Sequence, residues 1–292
     1  MNLSKTQQLL SHAVLGFCLL LSFIYGLKIM FVAEYVEPCS TRYGTMMSFP
    51  QLETTADNSK RVINNDELAA IFGLSSWGVN ENARVQNAEG LGNRSVIEVR
   101  FPNGSYGPRA KKPLKGGISY RWRHGRPEPM TAACLSYGLF LPGNFTFHSG
   151  GKLPGLFGRA RPAAEAASTQ TESFASRIGF SPTGVAGMVS LQPQSPTSGP
   201  LAFKSGNWVL PTGRWLKIDQ EVVFNKLGES DGIVRVWVDG DMLVDDRTIQ
   251  FRKSRDLHID GVMGDLYYDG EDNLPLQGET TARITPFELR WN

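Results

Sequence analysis

Residues Gly150-Gly151-Lys152-Leu153-Pro154-Gly155-Leu156 set one lysine between a glycine pair and a Pro-Gly pair. Glycine lets the backbone approach a neighbour closely, and Pro-Gly favours a sharp turn. The pattern predicts a stiff loop that holds the Lys152 ammonium against an anionic group. An ordinary turn with a solvated lysine reads the same way, so the surroundings decide. From Arg100 to Arg161 the chain carries eleven Lys or Arg and one acid, Glu128. Arg109, Lys111, Lys112, Lys115, Arg121, Arg123 and Arg126 follow one another with no acid among them. From Asp219 to Asp272 the balance reverses, with fourteen acids against six bases. A formal net charge of +2 therefore hides a strongly polarised chain. A clustered basic region selects an anionic partner: nucleic acid, acidic polysaccharide or acidic lipid.

Compartment narrows that choice. Ala13 to Ala33 is apolar except for Lys28. As a helix it spans about 31 Å, enough for a bilayer core of about 30 Å if Lys28 snorkels to the interface. Phe31-Val32-Ala33-Glu34 is a poor cleavage site, so the segment reads as an uncleaved signal anchor rather than a cleaved leader. Lys5 before it, and Glu34 and Glu37 after it, favour a cytoplasmic N-terminus of residues 1–12, an anchor at 13–33 and an extracytoplasmic body. An exported body disfavours nucleic acid and leaves an acidic polysaccharide as the expected partner, with the membrane engaged only through the N-terminal helix. Asn93, Asn103 and Asn144 head glycosylation triplets. Cys39 and Cys134 are the thiols of the body, and spacing leaves open a disulfide or two buried thiols. The four histidines are scattered, and no His, Cys and carboxylate set has metal-ligand spacing.

The elements that must position these residues repeat with period two. Ile97, Val99 and Phe101 alternate with Glu98 and Arg100, and Ile118, Tyr120 and Trp122 with Arg121 and Arg123. Leu216, Ile218, Gln220, Val222 and Phe224 alternate with Lys217, Asp219 and Glu221. Val234, Val236 and Val238 lead into the turn Asp239-Gly240-Asp241, and Phe287, Leu289 and Trp291 form a last strand. Many strands with Gly- and Pro-rich turns predict an all-β fold, a jelly-roll sandwich. One short helix is expected near Asn65 to Phe72. Arg159–Ser173 and Pro193–Asn207 read as irregular, the first as a lid over a groove. In the strand Phe174 to Phe180, Phe174, Ser176, Ile178 and Phe180 share the core face. Ala175, Arg177 and Gly179 share the other, where small residues leave room for a ligand beside the arginine.

Val96 to Pro108, reading VIEVRFPNGSYGP, resembles the strand and loop that open the catalytic domain of polysaccharide lyase family 14, the alginate and glucuronan-type lyases. Tyr137 to Gly158 is similar to that family's most distinctive block. Trp215 to Val222, Asn225, Asp231-Gly232 and Val236 to Gly240 continue the match in order and spacing. The resemblance covers about Val96 to Trp291, which sets residues 34–95 apart as linker and N-terminal part of the exported domain and 96–292 as the lyase-like domain. It implies a jelly roll that binds an acidic polysaccharide along a concave sheet and cleaves it by β-elimination, with neither metal nor cofactor.

In a uronate the C5 proton lies beside a carboxylate and is barely acidic. Its removal needs a cation on that carboxylate, a base for the proton and an acid for the leaving oxygen. Lys152 matches the family's essential lysine, and Arg177 the arginine of its Phe-Ser-X-Arg strand. Arg121, Arg123 and Lys115 are expected to line or flank the groove, with Gln220 as a further contact. The pattern also breaks. Ala175 stands where the family has serine, and VAGMVSLQP (Val185 to Pro193) lacks two alternating tyrosines that serve as base and acid. Tyr267 and Tyr268 are the expected substitutes, followed by His148 and His258. Two functions follow: a lyase with an altered acid/base set, or a noncatalytic carbohydrate-binding protein on the same scaffold.

Overall fold

A computed structural model describes residues 14, 16–18, 20, 22, 35–49, 61–62, 77–88, 91, 94–123, 125, 129–160, 172–191, 201–202, 208–270 and 274–292. The chain divides into two compact units, Met1–Glu37 and Pro38–Asn292. Most of the expected anchor at 13–33 lies outside the described residues, and among those described no helix is long and apolar enough to cross a membrane. The expected helix at 65–72 also lies outside them.

The second unit opens with a one-turn helix α1 (Cys39–Arg42), strands β1 (Thr45–Ser48) and β2 (Arg61–Val62), and helix α2 (Val79–Asn82). Then come β3 (Ala83–Asn87), β4 (Ser95–Phe101), β5 (Arg121–Arg123), β6 (Ala132–Phe140), β7 (Gly151–Arg159), β8 (Ser173–Phe180) and β9 (Ala186–Leu191). They are followed by β10 (Leu201–Ala202), β11 (Trp215–Val223), β12 (Gly232–Val238), β13 (Asp241–Ile249) and β14 (Gly261–Met263). β15 (Tyr267–Tyr268), β16 (Thr280–Ile284) and β17 (Glu288–Trp291) complete the chain.

Among the described residues these strands form a ten-stranded sheet, β13-β12-β11-β6-β16-β4-β3-β2 with β17 beside β6 and β1 beside β17. They also form a seven-stranded sheet, β10-β9-β8-β7-β14-β5 with β15 on β7. The all-β sandwich expected from the alternation is present. Its interior is where the two apolar faces meet. Phe174 of β8 packs 4.8 Å, centroid to centroid, from Phe224 beyond β11, and Phe287, Tyr137, Tyr120 and Phe49 interlock nearby. Asp239 and Gly240, at φ 53° and 92°, make the two-residue hairpin between β12 and β13, a turn that needs positive φ at both positions.

Two expectations change. Arg159 and Ser173, expected within one irregular stretch, are paired ends of β7 and β8, while the proposed lid at 161–171 lies outside the described residues. Of 193–207, Leu201–Ala202 forms β10 on β9, and the rest is outside the described residues.

The face of the ten-stranded sheet away from the interior carries buried charge. Glu221, with 1% of its side chain exposed, accepts from Arg42 and Tyr43 of the N-terminal segment and from Arg235 of β12. A disulfide between Cys39 and Cys134, with Cα atoms 5.7 Å apart, ties that segment down.

Candidate functional site

The lysine heptad is a strand, not a loop. Gly151 and Lys152 pair with Phe180 and Gly179 of β8, and Gly155 pairs with Arg177, so β7 carries one extra residue between Lys152 and Gly155. Such a bulge accommodates Pro154, which has no N–H to give to the ladder. The carbonyl of Pro154 accepts the Tyr137 hydroxyl at 3.4 Å from the sandwich interior. The glycines have separate reasons. Gly150 sits at φ 77°, and a Cβ on Gly155 would collide with the Ser176 carbonyl and Arg177. Lys152 thus projects from a fixed strand, with 14% of its side chain exposed and an ion pair to Asp269.

The register assembles the rest on the outer face of the seven-stranded sheet. Tyr267 of β15 lies directly across from Lys152, which lies across from Gly179 and then Gly187. The adjacent row runs Arg121, Met263, Gly155, Arg177, Val189. Asp265, between β14 and β15, is almost fully buried. It accepts from Ser119 Oγ at 2.6 Å, from Arg121 Nη1 at 2.9 Å and from Arg177 Nη1. The Tyr267 ring is 5.6 Å from the half-buried Trp77 ring and 6.0 Å from the Arg177 guanidinium carbon. Burial, and then the charge of Asp265, push the Tyr267 hydroxyl above its ordinary pKa despite Arg177. Near neutral pH it therefore holds its proton. Phe157, Ala175 and Met263 make a small apolar floor beside these groups, with Arg121 over the Phe157 ring.

The structure brings Lys152, Arg177, Arg121 and Tyr267 together. Arg123 follows Arg121 by alternation on the same face, exposed on the edge strand β5. Four expected residues fall elsewhere. Tyr268 points the opposite way from Tyr267, into the interior among Phe101, Phe145 and Phe180, and donates to the Thr146 carbonyl. It is a core residue turned away from the outer face, and burial raises its pKa. His148 packs edge-on against that buried Tyr268, with Nε2 3.3 Å from the Leu274 carbonyl, on the loop before β7. Lys115 donates to the carbonyls of Gly107 and Ala110 and so braces its own loop. Gln220 is fully buried between the sheets, donating to the Ser176 carbonyl at 2.8 Å, and cannot reach a ligand on the outer face. Ser176 faces the core, as its alternation required. The β9 positions across from Gly179 and Arg177 are Gly187 and Val189, so no phenol stands beside Arg177 on that strand.

Asp265, Asp269 and Trp77 were not foreseen. The first two were legible: in Gly264-Asp265-Leu266-Tyr267-Tyr268-Asp269-Gly270, period two puts Asp265, Tyr267 and Asp269 on one face and the buried Leu266 and Tyr268 on the other. Trp77 comes from a distant segment through a bridge to Ser119, and no local pattern announces it.

The fold is thus a two-sheet sandwich with cations and aromatic rings gathered on one outer sheet face. The chain belongs to the polysaccharide lyase 14 family, whose model matches residues 90–275. No curated protein matches the sequence. Among solved structures, the marine PL-14 alginate lyase from Aplysia kurodai is similar, with 18% identity and a TM-score of 0.65 over 85% of this chain and 100% of that one. The alginate lyase vAL-1 from Chlorella virus has 21% identity and a TM-score of 0.59 over 80% and 100%. A double mutant of alginate lyase Aly36B, in complex with alginate tetrasaccharide, has 12% identity and a TM-score of 0.62 over 86% and 98%. At these identities the likeness establishes the fold, consistent with a jelly roll.

Proposed function

We propose that the protein binds an acidic polysaccharide, alginate or another polyuronate, on the outer face of the seven-stranded sheet and cleaves it by β-elimination. The observation that carries this reading is the row formed by β15, β7 and β8. It sets Tyr267 directly across from Lys152, with Arg177 one step along the sheet. Lys152 and Arg177 neutralise the uronate carboxylate and stabilise the enolate-like intermediate, the work of preorganised cations. That supply of positive charge is what supports a metal-independent reaction. The C5–H electrons form the C4–C5 double bond, the C4–O bond breaks, and the leaving oxygen takes the proton of the Tyr267 hydroxyl. Since Tyr267 is protonated, it acts as the acid rather than the base. The C5 proton goes to a carboxylate, and Asp269 is the more exposed of the two on this face, at 35% against 1% for Asp265.

The test incubates the full chain with alginate and with glucuronan and identifies the new chain ends by mass spectrometry. Unsaturated non-reducing ends support elimination, and hydrolytic ends refute it. Affinity should fall with added salt, and neutral glucan should not compete. A second reading, a noncatalytic binder, is favoured by Gly187 and Val189 on the strand where the family has its tyrosines. It predicts binding with no new ends. The apolar run 13–33 supports a membrane-anchored protein with an extracytoplasmic body, and fractionation of cells expressing the full chain tests that placement.

A further inference from the structure

The two cations assigned to the uronate carboxylate are both paired inside the protein, but in different ways. Asp265, which holds Arg177, has 1% of its side chain exposed and three donors on it from Ser119, Arg121 and Arg177. Asp269, which holds Lys152, is 35% exposed and has, among the described residues, that one side-chain donor. Displacing Asp265 would strand a buried carboxylate and two arginines, at high cost. Displacing Asp269 exchanges one carboxylate for another on the same ammonium and frees the first, still on this face of the sheet, to take the C5 proton.

We propose that Asp269 occupies Lys152 in the empty site as an internal carboxylate, and that a ligand uronate binds there by displacing it. The inference rests on the polyuronate reading above and adds the device by which the site admits its ligand. The backbone permits the exchange. Asp269 N–H donates to the Gly150 carbonyl at 2.9 Å, and Tyr268 pairs with Gly151, so the segment stays in the sheet wherever the carboxylate points. The surroundings favour it too. Gly107 packs against the Tyr268 carbonyl and Gly270 nitrogen, and the chain that leaves it carries the exposed Arg109 and Lys112. Those cations attract an incoming polyanion. The device also sets specificity: a neutral sugar brings nothing to replace Asp269 on Lys152, so the site stays closed to it.

The experiment titrates the full-length wild type, Asp269→Asn and Asp269→Ala with alginate tetrasaccharide by calorimetry at several salt concentrations. Both variants should bind about fivefold more tightly, the scale of one partly exposed ion pair no longer competing. Their affinity should also depend more steeply on salt. In the wild type one ion pair breaks for each one formed at Lys152, whereas in the variants the new pair is a net gain. Unchanged or weaker binding by both variants, with an unchanged salt slope, overturns the inference and makes Asp269 a strut that orients Lys152. If neither wild type nor variants bind this tetrasaccharide or a glucuronan oligosaccharide titrated beside it, the functional reading falls, and the exchange falls with it.

Discussion

Asp265→Asn tests whether the buried carboxylate organises the cationic face. The substitution keeps the volume and removes the charge that faces Arg121 and Arg177. Arg177 has 10% of its side chain exposed, so its guanidinium would be left largely buried and without a counter-charge. Breaking a buried pair in this way costs about 3–5 kcal/mol. Arg121 is 30% exposed and can rehydrate, so its share is discounted. The asparagine oxygen still accepts one hydrogen bond, which puts the expected loss near the lower end, about 3 kcal/mol. For a domain of this size that is a fall in Tm of about 6–12 °C. Calorimetry of the full chain reads it directly. Arg177→Gln combined with Asp265→Asn should cost less than the sum of the single changes by about 2 kcal/mol, because the two residues share one interaction. A Tm shift under about 2 °C, or strict additivity, would refute the reasoning.

Lys152→Ala removes one partly exposed ion pair, so Tm should move by no more than about 2–4 °C while turnover falls by on the order of a hundredfold. Lys152→Arg should recover only part of the activity, because a planar fork does not replace a compact ammonium. Tyr267→Phe keeps the packing on Trp77 and removes the proton assigned to the leaving oxygen; turnover should drop with little change in binding. The native state keeps the Tyr267 proton that the unfolded chain sheds from about pH 10, so this hydroxyl's stabilisation is lost as pH rises through the alkaline range. The Phe variant should lose less stability than wild type there, as urea midpoints at neutral and alkaline pH would show. Reducing the Cys39–Cys134 disulfide, which spans 95 positions, should lower stability by about 4–5 kcal/mol in the chain-entropy model, measured by denaturation with and without reductant.

The sandwich was legible because burial on one face writes period two into strands such as Trp215–Val223. What lay on the other face was not. Glu221 alternates with the core residues like a solvated acid, yet Arg42 and Tyr43 cover it from far away in the chain. The disulfide belongs to the same contact, which spacing cannot reveal. Lys152 stands out in the sequence as a candidate cation, but Gly and Pro punctuate turns and bulged strands alike, and the bulge that aims it depends on β8. Tyr267 and Tyr268 look equivalent in the sequence, although adjacent strand residues face opposite ways and only one of them can meet a ligand. Gln220 followed the apolar alternation of its strand, and burial claimed it. The partners of the cations were missed because pairing across β7, β14 and β15 is set by register between strands distant in sequence.

The central claim is elimination on a uronate. The most direct measurement follows ultraviolet absorbance from the C4–C5 double bond when the full chain meets alginate, glucuronan and other acidic glycans, with Lys152→Ala in parallel. Absorbance should rise with time for at least one polyuronate in the wild type and stay at baseline for Lys152→Ala. Tight binding with no absorbance on any polyuronate, or equal rates for the two proteins, would contradict it.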